Sequence, residues 1–124
     1  MESPSGVVTG QIIECAIEVH RALGPGLREK TYDEALAIEM LERRMVFERQ
    51  VRIPVQYKGH LVGEYGLDFV VGNTVVVEVK AVERFEPVFE AQILSYLRAS
   101  GLRLGLLLNF NSHRVIDTIR RFIL

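Results

Sequence analysis

Hydrophobic positions along the chain recur at two periods, and the switches between them mark its elements. From about Thr9 the residues Ile12, Ile13, Ala16, Ile17, Val19, His20 and Leu23 recur every three to four positions, which predicts a helix. Gly24 and Pro25 end it, because glycine accepts the exit conformation and proline cannot continue the turn. Residues 1–8, with Pro4 and Gly6, are expected to fray. A second stripe, from Tyr32 through Leu36 and Met40 to Met45, predicts a helix over about 28–45. The period then drops to two. Val51, Ile53 and Val55 alternate with Arg52, Pro54 and Gln56, giving a half-exposed strand over 47–57 that Pro54 sends to an edge or a bulge. Lys58-Gly59-His60 reads as a turn into a strand over 61–71.

After Gly72-Asn73-Thr74 comes the run Val75 to Val82, with five valines in eight residues. Such a run predicts a strand buried on both faces and central in its sheet. A helix over 87–100 follows, with Pro87 in its first turn and Gly101 after its last. Leu104 to Phe110 predicts another buried strand. Val115, Ile116, Ile119, Phe122 and Ile123 predict a closing amphipathic helix whose Arg114, Arg120 and Arg121 face solvent. The order α-α-β-β-β-α-β-α makes an α/β domain over 1–124, a mixed sheet with helices on both sides. The strands flanking the 87–100 helix are expected to run parallel, joined by a right-handed crossover.

Two full charges interrupt the valine run. Glu78 and Lys80 are two residues apart, so on a strand they share a face. An unpaired charge in a core costs several kcal/mol. Either the two form a mutual ion pair, or a metal and a substrate meet them there. The hairpin register bears on the choice. With 72–74 as a three-residue loop, Val71 faces Val75 and Asp68 faces Glu78 on one side of the sheet. Phe69, Val71, Val75, Val77 and Val79 then line the other side. A two-residue loop would send Asp68 to the side away from Glu78, and the hydrophobic pattern favours the first register.

Bulk properties narrow the context. The net charge of −1 advertises no general affinity for polyanions, so phosphate contacts would need a local patch. Cys15 is the only cysteine, which excludes an internal disulfide and suits a reducing cytoplasm. It reads as a small core residue, as His20 reads as a hydrogen-bonded core histidine and His60 as a solvated one. No apolar run reaches the ~18 residues a membrane span needs.

Two carboxylates facing each other repel, and a cation between them resolves the conflict. Carboxylate oxygens with open water positions suit Mg²⁺ or Mn²⁺. Such an ion can hold a phosphate oxygen and lower the pKa of a water, while Lys80 orients that water or neutralises charge in the transition state. Glu29 lies three before Tyr32 and seven before Leu36, which turns it toward the apolar side of its helix. It can serve the same centre, or simply favour the helix dipole. Gln92 and Tyr96 share a face and can position the lysine, a water or a phosphate.

The spacing Asp68-x9-Glu78-x-Lys80 after a helical Glu resembles the PD-(D/E)xK nuclease superfamily. Gly26-x-x-Glu29-x-x-Tyr32 is similar to the signature of its small GxxExxY branch. The segments Val19 to Gly26, Tyr65 to Asp68, Val77 to Glu83, Ala91 to Leu97 and Gly105 to Phe110 extend the likeness over about residues 10–124. The resemblance implies a restriction-endonuclease-like core with a mixed four-stranded sheet. It implies Asp68 and Glu78 as metal ligands, with Val79 beside them in the metal set. It further implies Lys80 as catalytic, Glu29 and Gln92 as accessory catalytic residues, and Tyr96 at the substrate. Phe89 departs from the histidine the branch often carries.

Two functional readings stand beside the plain ion pair. One is a Mg²⁺- or Mn²⁺-dependent nuclease in the cytoplasm, hydrolysing DNA rather than RNA with a metal-activated water. The other is a non-catalytic binding or scaffold protein on a nuclease fold. A homodimer is a further expectation, through the Pro54 edge or the closing helix.

Overall fold

The computed structural model describes residues 4–124. Helix α1 spans Pro4–Leu23 and helix α2 spans Glu29–Glu42. Strands β1 (Phe47–Tyr57), β2 (His60–Val71) and β3 (Val75–Lys80) follow, then helix α3 (Pro87–Ser100) and strand β4 (Leu104–Asn109). The chain closes with a 3-10 turn, Val115–Thr118, and a short strand β5 (Arg120–Ile123). The helix begins at Pro4 where fraying was expected over 1–8, and residues 1–3 of that expectation lie outside the described residues. A proline at the first helical position lacks only an N–H that would have no helical partner anyway.

The sheet has five strands, in the order β1-β2-β3-β4-β5, not four. The fifth replaces the expected closing helix. Val115, Ile116 and Ile119 have helical spacing, but the chain makes only one 3-10 turn. Its main chain then pairs antiparallel with β4, from Leu104↔Ile123 to Leu107↔Arg120. An open edge on β4 offers unpaired main-chain groups, and satisfying them outweighs a weak helical pattern. The other expectations of order hold. Strand β3 is central, β3 and β4 run parallel, and β1 with Pro54 is an edge.

Helices α1 and α2 cover one face, burying Ile12, Leu36 and Met40 against Phe69, Val71, Val75, Val77 and Val79. Helix α3 covers the other, setting Leu97 against Val70 and Val76. It approaches β4 closely. A Cβ built on Gly105 would stand 2.8 Å from Ile93 Cδ1, so a larger residue there would force the Ile93 side chain to move. The hairpin register is the one that pairs Val71 with Val75 and Phe69 with Val77. No helix among the described residues is long and apolar enough to cross a membrane.

Candidate functional site

The site begins where the strands come apart. The β2–β3 ladder stops at Phe69↔Val77, one pair short of Asp68 and Glu78. On its other side, β2 pairs Phe69 with Arg49 and Leu67 with Val51, and omits the pair between Asp68 and Gln50. Gln50 has φ +50°, a left-handed conformation that breaks the pleat. Alternation fails at the same point. Leu67 packs under α3, whereas Phe69, two residues on, packs under α1 and α2. Asp68 is the residue at which the strand turns over, and it opens into a cavity of about 660 Å³ lined also by Glu29, Lys30, Asp33, Arg49 and Gln50.

Side chains replace the missing ladder bonds. The Val79 N–H donates to Asp68 Oδ2 at 2.7 Å, and the Asp68 N–H points to Glu78 Oε1 at a long 3.4 Å. The two carboxyl groups thus meet as the register requires. Glu78 is only 6% exposed. Burial, reinforced by the charge of Asp68, pushes its carboxyl from 4.5 up to about 9. The Val79 side chain is fully buried in the core, so only its main chain can reach this centre.

The mutual ion pair between Glu78 and Lys80 does not form: among the described residues Lys80 has no carboxylate within 4.0 Å. Its ammonium instead stands over the Phe89 ring, 4.6 Å from the centroid. Glu29, at the start of α2, is near enough to feel Lys80 and Asp68, and burial raises its carboxyl despite the opposing lysine. The Tyr96 phenol is raised too, first by burial and then by Glu78 and Asp68. Glu29, Asp68, Glu78, Lys80 and Tyr96 therefore converge from α2, β2, β3 and α3. Gln92 stands one turn from Tyr96 and lines the same cavity as Tyr65, and among the described residues its side-chain amide makes no hydrogen bond.

Several supporting residues escaped the sequence reading. By sequence Tyr32 is a member of an apolar stripe and the last residue of the Gly26-x-x-Glu29-x-x-Tyr32 signature, with no partner indicated for its hydroxyl. Its buried hydroxyl donates to the Gly24 carbonyl at 2.5 Å and accepts the Leu27 N–H at 3.1 Å, while its ring stacks on Phe110. It thereby fixes the loop that delivers Glu29. A tyrosine at a core position needs such a partner, and that was the available signal. Buried Asn109 pairs with both main-chain groups of Val82, donating to its carbonyl at 2.8 Å and accepting its N–H at 3.0 Å. It holds the chain leaving Lys80. Asp33, 7% exposed, takes the Arg49 guanidinium at 2.6 Å on the cavity wall. Phe89, by its spacing a member of the apolar stripe with Ile93 and Leu97 and a departure from the branch's histidine, gives no sequence signal of its contact with Lys80. His20 is a core histidine, its Nε2 2.9 Å from the Ser112 carbonyl oxygen.

Among the described residues no three or more His, Cys, Asp or Glu side chains form a cage for a metal. Asp68 and Glu78 fit a different pattern. One or two carboxylates with remaining positions left to water and substrate is the donor set of Mg²⁺ or Mn²⁺. Burial first and the charge of Asp68 second hold the Glu78 carboxyl up, and a cation between the two groups would oppose both.

A family model described as the PD-(D/E)XK nuclease superfamily matches residues 7–122. No curated protein and no solved structure was found to match the chain.

Proposed function

The chain belongs to the PD-(D/E)XK nuclease superfamily, and from that premise we propose that it is an active, divalent-metal-dependent nuclease cleaving DNA. The observation that carries this reading is the facing pair Asp68 and Glu78 beside Lys80, which has no carboxylate within 4.0 Å among the described residues. A stable core has no use for that arrangement, whereas phosphodiester hydrolysis needs each part of it.

Asp68, Glu78 and the Val79 main chain would hold Mg²⁺ or Mn²⁺, and a bound ion supplies Lewis-acid stabilisation of charge on the scissile phosphate. Lys80 presents its ammonium to the phosphoryl oxygens and the attacking water. Its freedom from carboxylate partners leaves those N–H donors available, and Phe89 restrains its swing. Glu29 orients water from the α2 side, and Tyr96 approaches the phosphate from α3. Water adds to phosphorus and gives a proton to solvent, the bond to the leaving sugar oxygen breaks, and that oxygen takes a proton from solvent.

The loop geometry around Tyr32 supports placing the chain in the GxxExxY branch, because the glycine turn, Glu29 and Tyr32 act there as one unit. The lone Cys15, buried and with its thiol raised by burial to about 11, supports a cytoplasmic setting. A dimer through the β1 edge is part of the same proposal, tested by scattering mass.

Calorimetry with Mg²⁺ and Mn²⁺ on wild type and on Asp68→Ala, the fold checked by circular dichroism, tests the centre. Binding lost in the folded variant is the expected result. Lys80→Ala is expected to keep metal binding and lose DNA cleavage. If Lys80→Ala instead unfolds the protein and wild type cleaves nothing, the set is a structural network and the chain is a scaffold.

A further inference from the structure

The β1–β2 hairpin is longer than the sheet needs. Beyond the last pairs that pack on α3 it continues as an arm from Pro54 to Tyr65, with Tyr57, Leu61, Val62 and Tyr65 all exposed. The arm lies alongside α3. Between them is a cavity of about 390 Å³ lined by Val55, Tyr65, Ala91, Gln92, Ser95 and Tyr96. A second cavity of about 530 Å³ shares Val55 and Ser95 with the first and carries Arg98 at its wall, so the two form one groove.

Three features of this groove point to one kind of occupant. The rings of Tyr65 and Tyr96 stand 6.1 Å apart at 36°, on opposite walls. Tyr65 is held there by Gly63, where an added Cβ would come within 3.0 Å of the ring. Yet Tyr65 remains 48% exposed, an aromatic face open to water. Next, the hydroxyls of Tyr65, Tyr96 and Ser95 and the Gln92 amide have no hydrogen-bond partner among the described residues, so donors and acceptors face the cavity unused. Last, the inner cavity has no charged residue among its lining, while Arg98 lies in the outer one. A neutral, planar, hydrogen-bonding group fits the inner part, and a phosphate fits beside Arg98. Tyr96 lines the groove and is near enough to Asp68 and Glu78 to feel their charge, which sets the groove beside the candidate active site.

We propose that the groove between the hairpin arm and α3 is a nucleobase-binding site, with the exposed face of Tyr65 stacking on an unstacked base, and that the substrate is therefore single-stranded. Bases inside a duplex cannot offer their faces to a protein ring, whereas those of a single strand can. This inference rests on the nuclease reading for its ligand class, but its test is separable from catalysis.

The experiment measures anisotropy of a labelled twelve-residue oligothymidylate in EDTA, where no cleavage interferes. Competitors are an abasic strand of equal length and a duplex. Wild type is expected to prefer the base-bearing single strand. Tyr65→Ala, on an exposed arm, is expected to bind it about 5- to 150-fold more weakly, the range of base–aromatic stacking. Tyr65→Phe is expected to retain wild-type affinity. The chain has no tryptophan, so quenching of tyrosine emission reports the stacking directly. Equal binding of the abasic strand, preference for the duplex, an unchanged Tyr65→Ala or no binding at all would overturn the proposal. If oligothymidylate binds through Tyr65 but is not cut when Mg²⁺ is added, the groove stands and the nuclease reading falls. If Mg²⁺ supports cutting that ignores Tyr65 and the bases, the reverse holds.

Discussion

Replacing Glu78 with glutamine should make the metal-free protein more stable, and increasingly so as pH rises. The carboxyl is buried at 6% exposure and faces Asp68, and its folded value is about 9 against 4.5 when free. Between those values the unfolded chain releases a proton that the folded chain keeps. The folded state therefore loses stability as pH rises from about 4.5 to 9, and the loss is absent below 4.5. Each pH unit is worth about 1.4 kcal/mol, so at pH 7.5 the deficit approaches about 4 kcal/mol. Glutamine imitates the protonated acid. Its carbonyl can still accept the Asp68 N–H, its amide can donate to the Asp68 carboxylate, and it never ionises in the unfolded chain. Guanidinium unfolding in EDTA at several pH values from 4 to 8 measures the difference. Glu78→Gln should match wild type near pH 4 and exceed it by about 2–4 kcal/mol at pH 7.5. Lys80, Glu29, Asp68 and Tyr96 surround the group in both proteins, so the difference isolates residue 78. A variant less stable than wild type at pH 7.5, or a gap that does not change with pH, would refute the reasoning and mean that Glu78 is a satisfied structural anion.

Other expectations are smaller. Tyr32→Phe removes the hydroxyl that bridges the main chains of half-buried Gly24 and exposed Leu27, two hydrogen bonds worth about 0.5–1.5 kcal/mol each, a loss read by thermal unfolding. It should also weaken cleavage more than metal binding, since Glu29 rides on that loop. Phe89→Leu keeps an apolar side chain but removes the ring under Lys80. A cation–π contact of about 0.5–2 kcal/mol predicts a fall in kcat of about 2- to 30-fold, with metal affinity unchanged in calorimetry and a Phe89→Tyr variant restoring turnover.

Much of this was legible because strands bury their residues by alternation. Five valines around Glu78 placed β3 at the centre, and the same alternation selected the register that brings Asp68 to Glu78. What alternation could not show was that the ladder stops there. That depends on Gln50 at positive φ in a neighbouring strand, a residue with no local turn signal. The closing segment failed for a related reason. Val115 to Ile123 has weak helical spacing, and the decision lay with the open edge of β4, far away in sequence. Tyr32, Phe89 and Asn109 act through partners 8 to 27 residues distant, as with the Gly24 carbonyl and Val82, or across elements, as with Lys80. Their residue types said that partners were needed, but not which.

Three side chains stand in for strands at one end of the sheet. Asp68 takes the Val79 N–H, Asn109 pairs with Val82, and Thr118 accepts from the Asn109 N–H while donating to the Val115 carbonyl. The mouth of the cleft is thus held by short, rotamer-limited groups rather than by a loop that must close. Free and bound forms would then share one shape, and little binding energy would be diverted into reorganisation. Encounter with substrate would be a matter of fit to a standing mould, so association should run at a rate set by diffusion and orientation rather than by a slow opening step.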